Sequence, residues 1–175
     1  MTSPYHHRAT RDLNRRSMPG IPVYLILWTI VVWASEAYND RPELALAAFA
    51  VFTAVALARW WHYRRFDREL ERHPRRTRAW LAAGIAVPAG LWSLAFVDTM
   101  LQAGHPDLKI VFVMVTSGLA GGGVNSYAPD RRWSAAYALL LLLPTALALL
   151  ALRPADRDIA LLMLVYIALL LILGS

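Results

Sequence analysis

Two acidic residues, Glu36 and Asp98, lie inside apolar stretches of the chain and are the first candidates for a functional site. A carboxylate is costly inside a bilayer, so it usually faces protein or water and often marks a functional position. Trp33 lies one helical turn before Glu36, and Trp92 and Phe96 precede Asp98. The pattern predicts a small ligand-binding pocket with aromatic walls and a carboxylate floor. The alternative is interfacial placement, with carboxylates in headgroup water and tryptophans in the aromatic belt.

A run of small residues is the second feature whose physical role the sequence indicates. Gly118 and Gly122 form a small-xxx-small pair, and Gly121 and Gly123 widen the same groove. Glycine lets a neighbouring helix approach closely, and packing drives helix association in lipid. Asn125 can add a hydrogen bond across helices. We expect tight packing within the chain here, with a dimer face or a moving hinge as the alternatives.

Other residue types that carry chemistry are absent or scattered. The chain has no cysteine, which excludes disulfides, thiolate metal sites and cysteine nucleophiles. No two of its five histidines fall on facing spans at one depth, so neither haem nor another metal is expected. The motifs H-E-x-x-H, G-x-S-x-G, Walker A and G-x-G-x-x-G are also missing. The sequence therefore predicts no catalytic residue, no metal and no cofactor in this chain.

The composition defines the elements that must position these residues. Of 175 residues, 58% are hydrophobic and only 17% are charged, and the mean hydropathy is +0.41. A soluble domain of this length is less apolar and more highly charged. Six windows approach the roughly 20 apolar residues that a spanning helix needs. They are residues 21–37, 43–61, 80–101, 108–126, 134–152 and 159–174. The windows lack the period-two alternation of barrel strands, so the predicted class is an all-α polytopic membrane protein.

Basic residues predict the orientation of these six transmembrane helices. Fourteen of the eighteen fall on the N-terminal side of alternating segments, and four fall on the other side. The positive-inside rule then places both termini in the cytoplasm. Residues 1–20 are predicted to form a basic cytoplasmic tail. Residues 21–174 are predicted to form a transmembrane domain with a basic cytoplasmic linker at 62–78.

The basic linker is expected to continue the second spanning helix into the cytosol as far as Pro74. Arg65 and Glu69 are at helical neighbour spacing, as are Arg68 and Glu71. The main prediction is an anchor on anionic lipid headgroups. A docking surface for a cytosolic partner is the alternative. Because the arginines cluster at membrane boundaries, no nucleic-acid partner is predicted despite the net charge of +6.

The order of these features resembles a known group of membrane domains. The glycine-rich fourth window ends in Ser126-Tyr127-Ala128-Pro129, and Trp133-Ser134-Ala135-Ala136-Tyr137 and Pro144 follow. This pattern resembles the N-terminal six-helix sensor regions of bacterial sensor histidine kinases and GGDEF/EAL signalling proteins. The resemblance covers most of residues 21–174. It implies a sensory input domain in a bacterial inner membrane, a homodimer, a small hydrophobic ligand and a cytosolic effector.

The departure from that pattern lies at the C-terminus, where no kinase His-box, GGDEF or EAL motif follows the last window. We therefore expect either an input module of a longer protein or a separate output partner, in two-component or cyclic-di-GMP signalling. By resemblance to quorum-sensing kinases, the ligand is lipophilic. A carboxylate floor favours neutral or cationic ligands. The alternatives are a small transporter or channel, or a membrane-enzyme subunit. Against a transporter, both acidic residues lie away from the midplane, and no internal repeat is visible.

Overall fold

The computed structural model describes residues 4–34, 41–102, 106–127 and 130–173. It contains seven α-helices and a 3-10 turn at Pro154–Asp156. The α-helices are α1 Pro4–Ser17, α2 Gly20–Ala34, α3 Pro42–Arg72, α4 Pro74–Leu101, α5 Pro106–Tyr127, α6 Arg131–Leu152 and α7 Arg157–Leu173. No β-strand occurs within the described ranges. The predicted all-α class is confirmed.

Several helices are long and apolar enough to cross a bilayer. In the described part of the chain five stretches qualify by length and composition: Arg8–Trp33, Pro42–Arg72, Pro74–Leu101, Pro106–Tyr127 and Arg131–Leu152. Their number indicates a multi-pass membrane protein. The sixth predicted window corresponds to α7, which has 17 residues and is at the short limit for a span.

Local sequence explains where the helices begin. Proline occupies the first position of α3, α4 and α5, where its missing N–H leaves no hydrogen bond unmade. Helix α6 begins after Asp130, whose side chain accepts a hydrogen bond of 3.0 Å from the backbone N–H of Arg132. As predicted, α3 continues through the basic linker, and it ends at Arg72, just before Pro74.

Helix α6 occupies the centre of the bundle and packs against α4, α5 and α7. Its residues Ala138, Leu141, Ala146 and Leu149 are fully buried. Helices α2 and α3 pack on each other, and α3 also packs on α4. Many large apolar side chains on α2, α3 and α7 point away from the protein. Such an apolar outer surface suits a bundle surrounded by lipid.

Helix α1 packs across one end of the bundle, which we name the α1 end. The guanidinium of Arg11 reaches Asp67 and Glu71 of α3 at 3.0 Å each, and Leu13 is buried. The expected basic tail is thus helical from Pro4 and is packed against α5, α3 and α4. At the opposite end, Arg153 donates a hydrogen bond of 3.2 Å to the backbone carbonyl of Leu101.

Candidate functional site

The residues of the predicted aromatic pocket occupy different environments. Trp33 is 88% exposed on the outer surface of α2. Asp98 is exposed on α4, where its carboxylate accepts a hydrogen bond of 2.6 Å from Gln102, the residue that follows the helix. Glu36 lies outside the described residues. The ligand-binding role of the two carboxylates stays a prediction.

Trp92 and Phe96, the other two predicted pocket residues, are buried in the aromatic core of the bundle. Their exposures are 0% and 1%. Trp92 donates an indole hydrogen bond of 2.9 Å to Thr116 Oγ1 on α5. Both rings contact Phe112, with centroids at 5.3 Å from Trp92 and 6.0 Å from Phe96. Trp92 and Phe96 therefore pack against α5, and not against the exposed Trp33.

The glycines of α5 do not share one environment. A methyl group added at Gly118 or Gly122 would meet no atom within 4 Å, whereas at Gly121 it would stand 3.4 Å from the Tyr166 hydroxyl. Close packing occurs at Gly123, where an added Cβ would overlap the ring of Tyr137. The structure thus places the tightest contact at Gly123, and leaves space beside the small-xxx-small pair. Asn125 is exposed on the same helix.

That space is part of a cavity of about 420 Å³ between α2 and α5, at the α1 end. Gly118 and Gly122 form part of its apolar lining, together with valine and leucine side chains. The polar side chains that distinguish it come from four helices: Tyr24, Arg59, Tyr127 and Tyr137. We name it the Tyr–Arg cavity.

The three tyrosines of the Tyr–Arg cavity are buried and held in place by one another. The hydroxyls of Tyr24 and Tyr137 share a hydrogen bond of 2.6 Å. The rings of Tyr127 and Tyr137 meet edge to face, with centroids 5.1 Å apart. Tyr24 also stacks on Phe52 at 6.1 Å. The hydroxyl of Tyr127 has no hydrogen-bond partner among the described residues, so it is available to a molecule in the cavity.

Arg59 supplies a positive charge to the same cavity from the middle of α3. Its side chain crosses α4 at Gly84, where an added Cβ would stand 3.0 Å from Arg59 Cγ. Its Nη2 donates a hydrogen bond of 3.2 Å to the backbone carbonyl of Ser17. The side chain is half-buried, and no described residue lining the cavity is acidic. A half-buried guanidinium without a carboxylate partner favours an acceptor group from a ligand.

The arrangement can bind an amphiphile. Arg59 and the free Tyr127 hydroxyl are donors for a carboxylate, phosphate or carbonyl group, and the surface around Gly118 and Gly122 can hold an apolar chain. In the described part of the chain, no three His, Asp or Glu side chains come together to hold a metal ion.

Sequence reasoning gave these residues no binding role. Arg59 is one of the fourteen basic residues that predict the orientation, although it lies two residues inside the second window. Tyr127 and Tyr137 stand in the motifs of the resemblance, but nothing in the spacing showed that they meet. A cation within an apolar window was the signal that could have identified the site.

Comparisons with protein-family models, with curated proteins and with solved structures give no match to this chain. The fold defines the class, a multi-pass α-helical membrane protein. The Tyr–Arg cavity is the feature of this fold that points to a function.

Proposed function

We propose that this chain is a membrane-embedded sensory input module that binds an amphiphile in the Tyr–Arg cavity. The observation that carries the proposal is a half-buried Arg59 facing a cavity of about 420 Å³ with an apolar lining. The resemblance to six-helix sensor regions supports a signalling role. A ligand of this kind can shift a bundle between two states only if it binds one of them more tightly.

The proposed topology has six spans with both termini in the cytoplasm of a bacterial cell. The distribution of basic residues supports this orientation. Helix α7, with 17 residues, is about 25 Å long at 1.5 Å per residue, which is close to the thickness of a thin hydrocarbon core. Alkaline phosphatase fused after Ser175 should stay inactive, and green fluorescent protein at the same position should fluoresce. The reverse pair of results would contradict an even number of spans.

The proposed ligand carries a head group with acceptor oxygens, such as a carboxylate. This differs from the neutral or cationic ligand expected for the Glu36 and Asp98 pocket, because the Tyr–Arg cavity presents a cation and a phenol instead. In the proposed topology its head group lies in the inner leaflet. The apolar chain of the ligand extends along the open surface at Gly118 and Gly122.

Photolabelling tests the binding site directly. A long-chain fatty acid carrying a diazirine is added to the protein in phosphatidylcholine nanodiscs, and labelled peptides are identified by mass spectrometry. We expect labels on α2 and α5. Arg59→Gln should reduce labelling about tenfold or more, because a hydrogen bond to a charged group contributes about 1.5–3 kcal/mol.

Arg64→Gln is the matched control for this experiment. Arg64 is on the same helix, but its guanidinium lies 4.0 Å above the Trp60 ring on the outer surface. Labelling should survive in this variant. Equal loss in both variants would contradict a site at Arg59, and equal competition by a long-chain amine would contradict an anionic head group.

The sensory part of the proposal needs its own measurement. Because the chain has no cysteine, spin labels can be placed at Arg8→Cys on α1 and Leu169→Cys on α7 without background. Saturating fatty acid should shift the distance distribution between them. If the fatty acid binds but the distance distribution does not change, the protein binds its ligand without a signalling movement. This result would contradict the sensory role.

The module is proposed to act as a parallel homodimer that passes its state to a cytosolic effector. A single cysteine near Leu173 should crosslink two copies in native membranes, because the last helices would be adjacent at the two-fold axis. Absence of a crosslinked dimer would contradict this arrangement.

A further inference from the structure

A separate cavity of about 350 Å³ lies where α3 leaves the bundle and α4 enters it. We name it the α3–α4 corner. Its polar lining includes Arg65, Arg76, His62, Thr77 and Glu69, and the rings of Trp61 and Trp80 flank it. Both rings are more than half exposed. Tryptophan beside arginine is the combination found where a helix crosses from lipid into headgroups.

The two arginines of the α3–α4 corner are free to bind an anion. Arg65 lies with its guanidinium carbon 4.0 Å above the Trp61 ring, which holds the cation at the edge of the cavity. Arg76 lines the same cavity from α4. Within the described ranges, neither guanidinium forms an ion pair, even with Glu69. The corner therefore has two positive charges that no protein carboxylate neutralises directly.

His62 adds an unsatisfied polar atom between the two helices. Its Nε2 is buried and has no hydrogen-bond partner among the described residues. The ring is fixed by an edge contact with Phe66, with centroids 5.6 Å apart, and by Trp80 at 6.4 Å. A buried polar atom without a partner is costly. A ligand oxygen at this position would remove that cost.

The α3–α4 corner continues into an apolar cavity of about 130 Å³. The two cavities share Ala58, His62 and Trp80. The second one extends along α3 and α4 toward the bundle interior, past Val55 and Val87. A charged region that opens into an apolar slot matches a molecule with an anionic head and a hydrocarbon tail.

We propose that the α3–α4 corner is a binding site for one anionic glycerophospholipid. The phosphate lies between Arg65 and Arg76, and one acyl chain enters the slot at Val55 and Val87. Glu69 faces the hydroxyls of the head group, as a hydrogen-bond acceptor. This site depends on the corner lying at a membrane surface. Its head-group residues do not line the Tyr–Arg cavity, although Ser17 and Arg59 line both that cavity and the apolar slot.

Native mass spectrometry of the detergent-solubilised full chain tests this site, since a micelle removes the surface potential of a leaflet. Phosphatidylglycerol and phosphatidylcholine are titrated in parallel, and one tightly retained phosphatidylglycerol is expected. The double variant Arg65→Gln/Arg76→Gln should weaken its retention about a hundredfold or more, because each arginine loses a hydrogen bond to a charged group, which contributes about 1.5–3 kcal/mol. Arg68→Gln/Arg72→Gln removes the same amount of charge from exposed positions of α3 outside the corner, and should keep retention.

Three results would overturn the proposal. Equal weakening in both double variants would mean diffuse attraction by the basic helix. Equal retention of phosphatidylcholine would exclude recognition of an anionic head group. Binding of glycerol phosphate as tight as that of the lipid would mean a soluble phosphate ligand. Unfolding by sodium dodecyl sulfate, followed by tryptophan fluorescence, reports whether the bundle is intact in each variant, so a folding defect is distinguished from a lost lipid site.

Discussion

Gly123 is the position at which the smallest change should have the clearest effect. In Gly123→Ala the new Cβ would stand 2.5 Å from Cδ1 and 2.9 Å from Cζ of the Tyr137 ring. That ring cannot easily move, because its hydroxyl is hydrogen-bonded to Tyr24 and its edge contacts Tyr127. We therefore expect α5 and α6 to be forced apart.

The magnitude follows from two opposing effects. Inserting a methyl group into a filled space costs about 1–3 kcal/mol, whereas alanine gains about 1 kcal/mol over glycine in a helix. The net effect at Gly123 is a loss of up to about 2 kcal/mol. At Gly122 the added methyl meets open space, so Gly122→Ala should gain up to about 1 kcal/mol.

Unfolding by sodium dodecyl sulfate in mixed micelles, followed by tryptophan fluorescence, measures both variants against the parent protein. Tyr137→Leu in the Gly123→Ala background removes the obstructing ring, and should restore part of the lost stability relative to Tyr137→Leu alone. If Gly123→Ala is as stable as Gly122→Ala, the contact between α5 and the Tyr137 ring is wrong.

Further predictions concern the aromatic core and the α1 end. Trp92→Phe should destabilise the fold by about 1–3 kcal/mol, because the Thr116 hydroxyl loses its indole donor; unchanged stability in the same unfolding assay would contradict that bond. Trp28→Ala should lower the free energy of unfolding by about 3–5 kcal/mol, because Trp28 is only 2% exposed. Trp33→Ala should be close to neutral, because Trp33 is 88% exposed. Similar losses of stability in the two variants would place Trp33 in a packed interface. Arg11→Gln should change stability by less than about 1 kcal/mol, because its ion pairs are exposed, and a larger loss in thermal melts would show a greater role for α1.

The class of fold was readable from composition because lipid admits few solutions. Long apolar windows must form helices when no water can pair their backbone groups. The extension of α3 to Arg72 was also predictable, since the charges in the linker follow helical spacing and Pro74 cannot continue the helix. The sequence does not predict the packed helix α1: its basic residues match a tail, and its docking depends on packing against α3, α4 and α5, far along the chain.

The candidate site was not predictable in the same way. Helical spacing puts Trp92 and Phe96 on one face of α4, but it does not say whether that face meets another helix or a ligand. The contact of Gly123 with Tyr137 depends on how α5 and α6 are rotated about their axes, which no local pattern encodes. The positive-inside rule accounts for Arg59 as a residue near the membrane boundary, and it does not predict that the side chain lines the Tyr–Arg cavity.

The central position of α6 has a consequence for biosynthesis. The ribosome makes α4 and α5 before α6. When these two helices enter the membrane, the helix that will pack against their inner faces has not yet been made. The buried carbonyl of Val124 on α5, which accepts a hydrogen bond of 2.8 Å from Ser134 Oγ on α6, then lacks its final partner until translation has passed Leu152. Ribosome-bound intermediates shorter than this contain an incomplete core, and are the stage at which a chaperone or a membrane protease can act on the newborn protein.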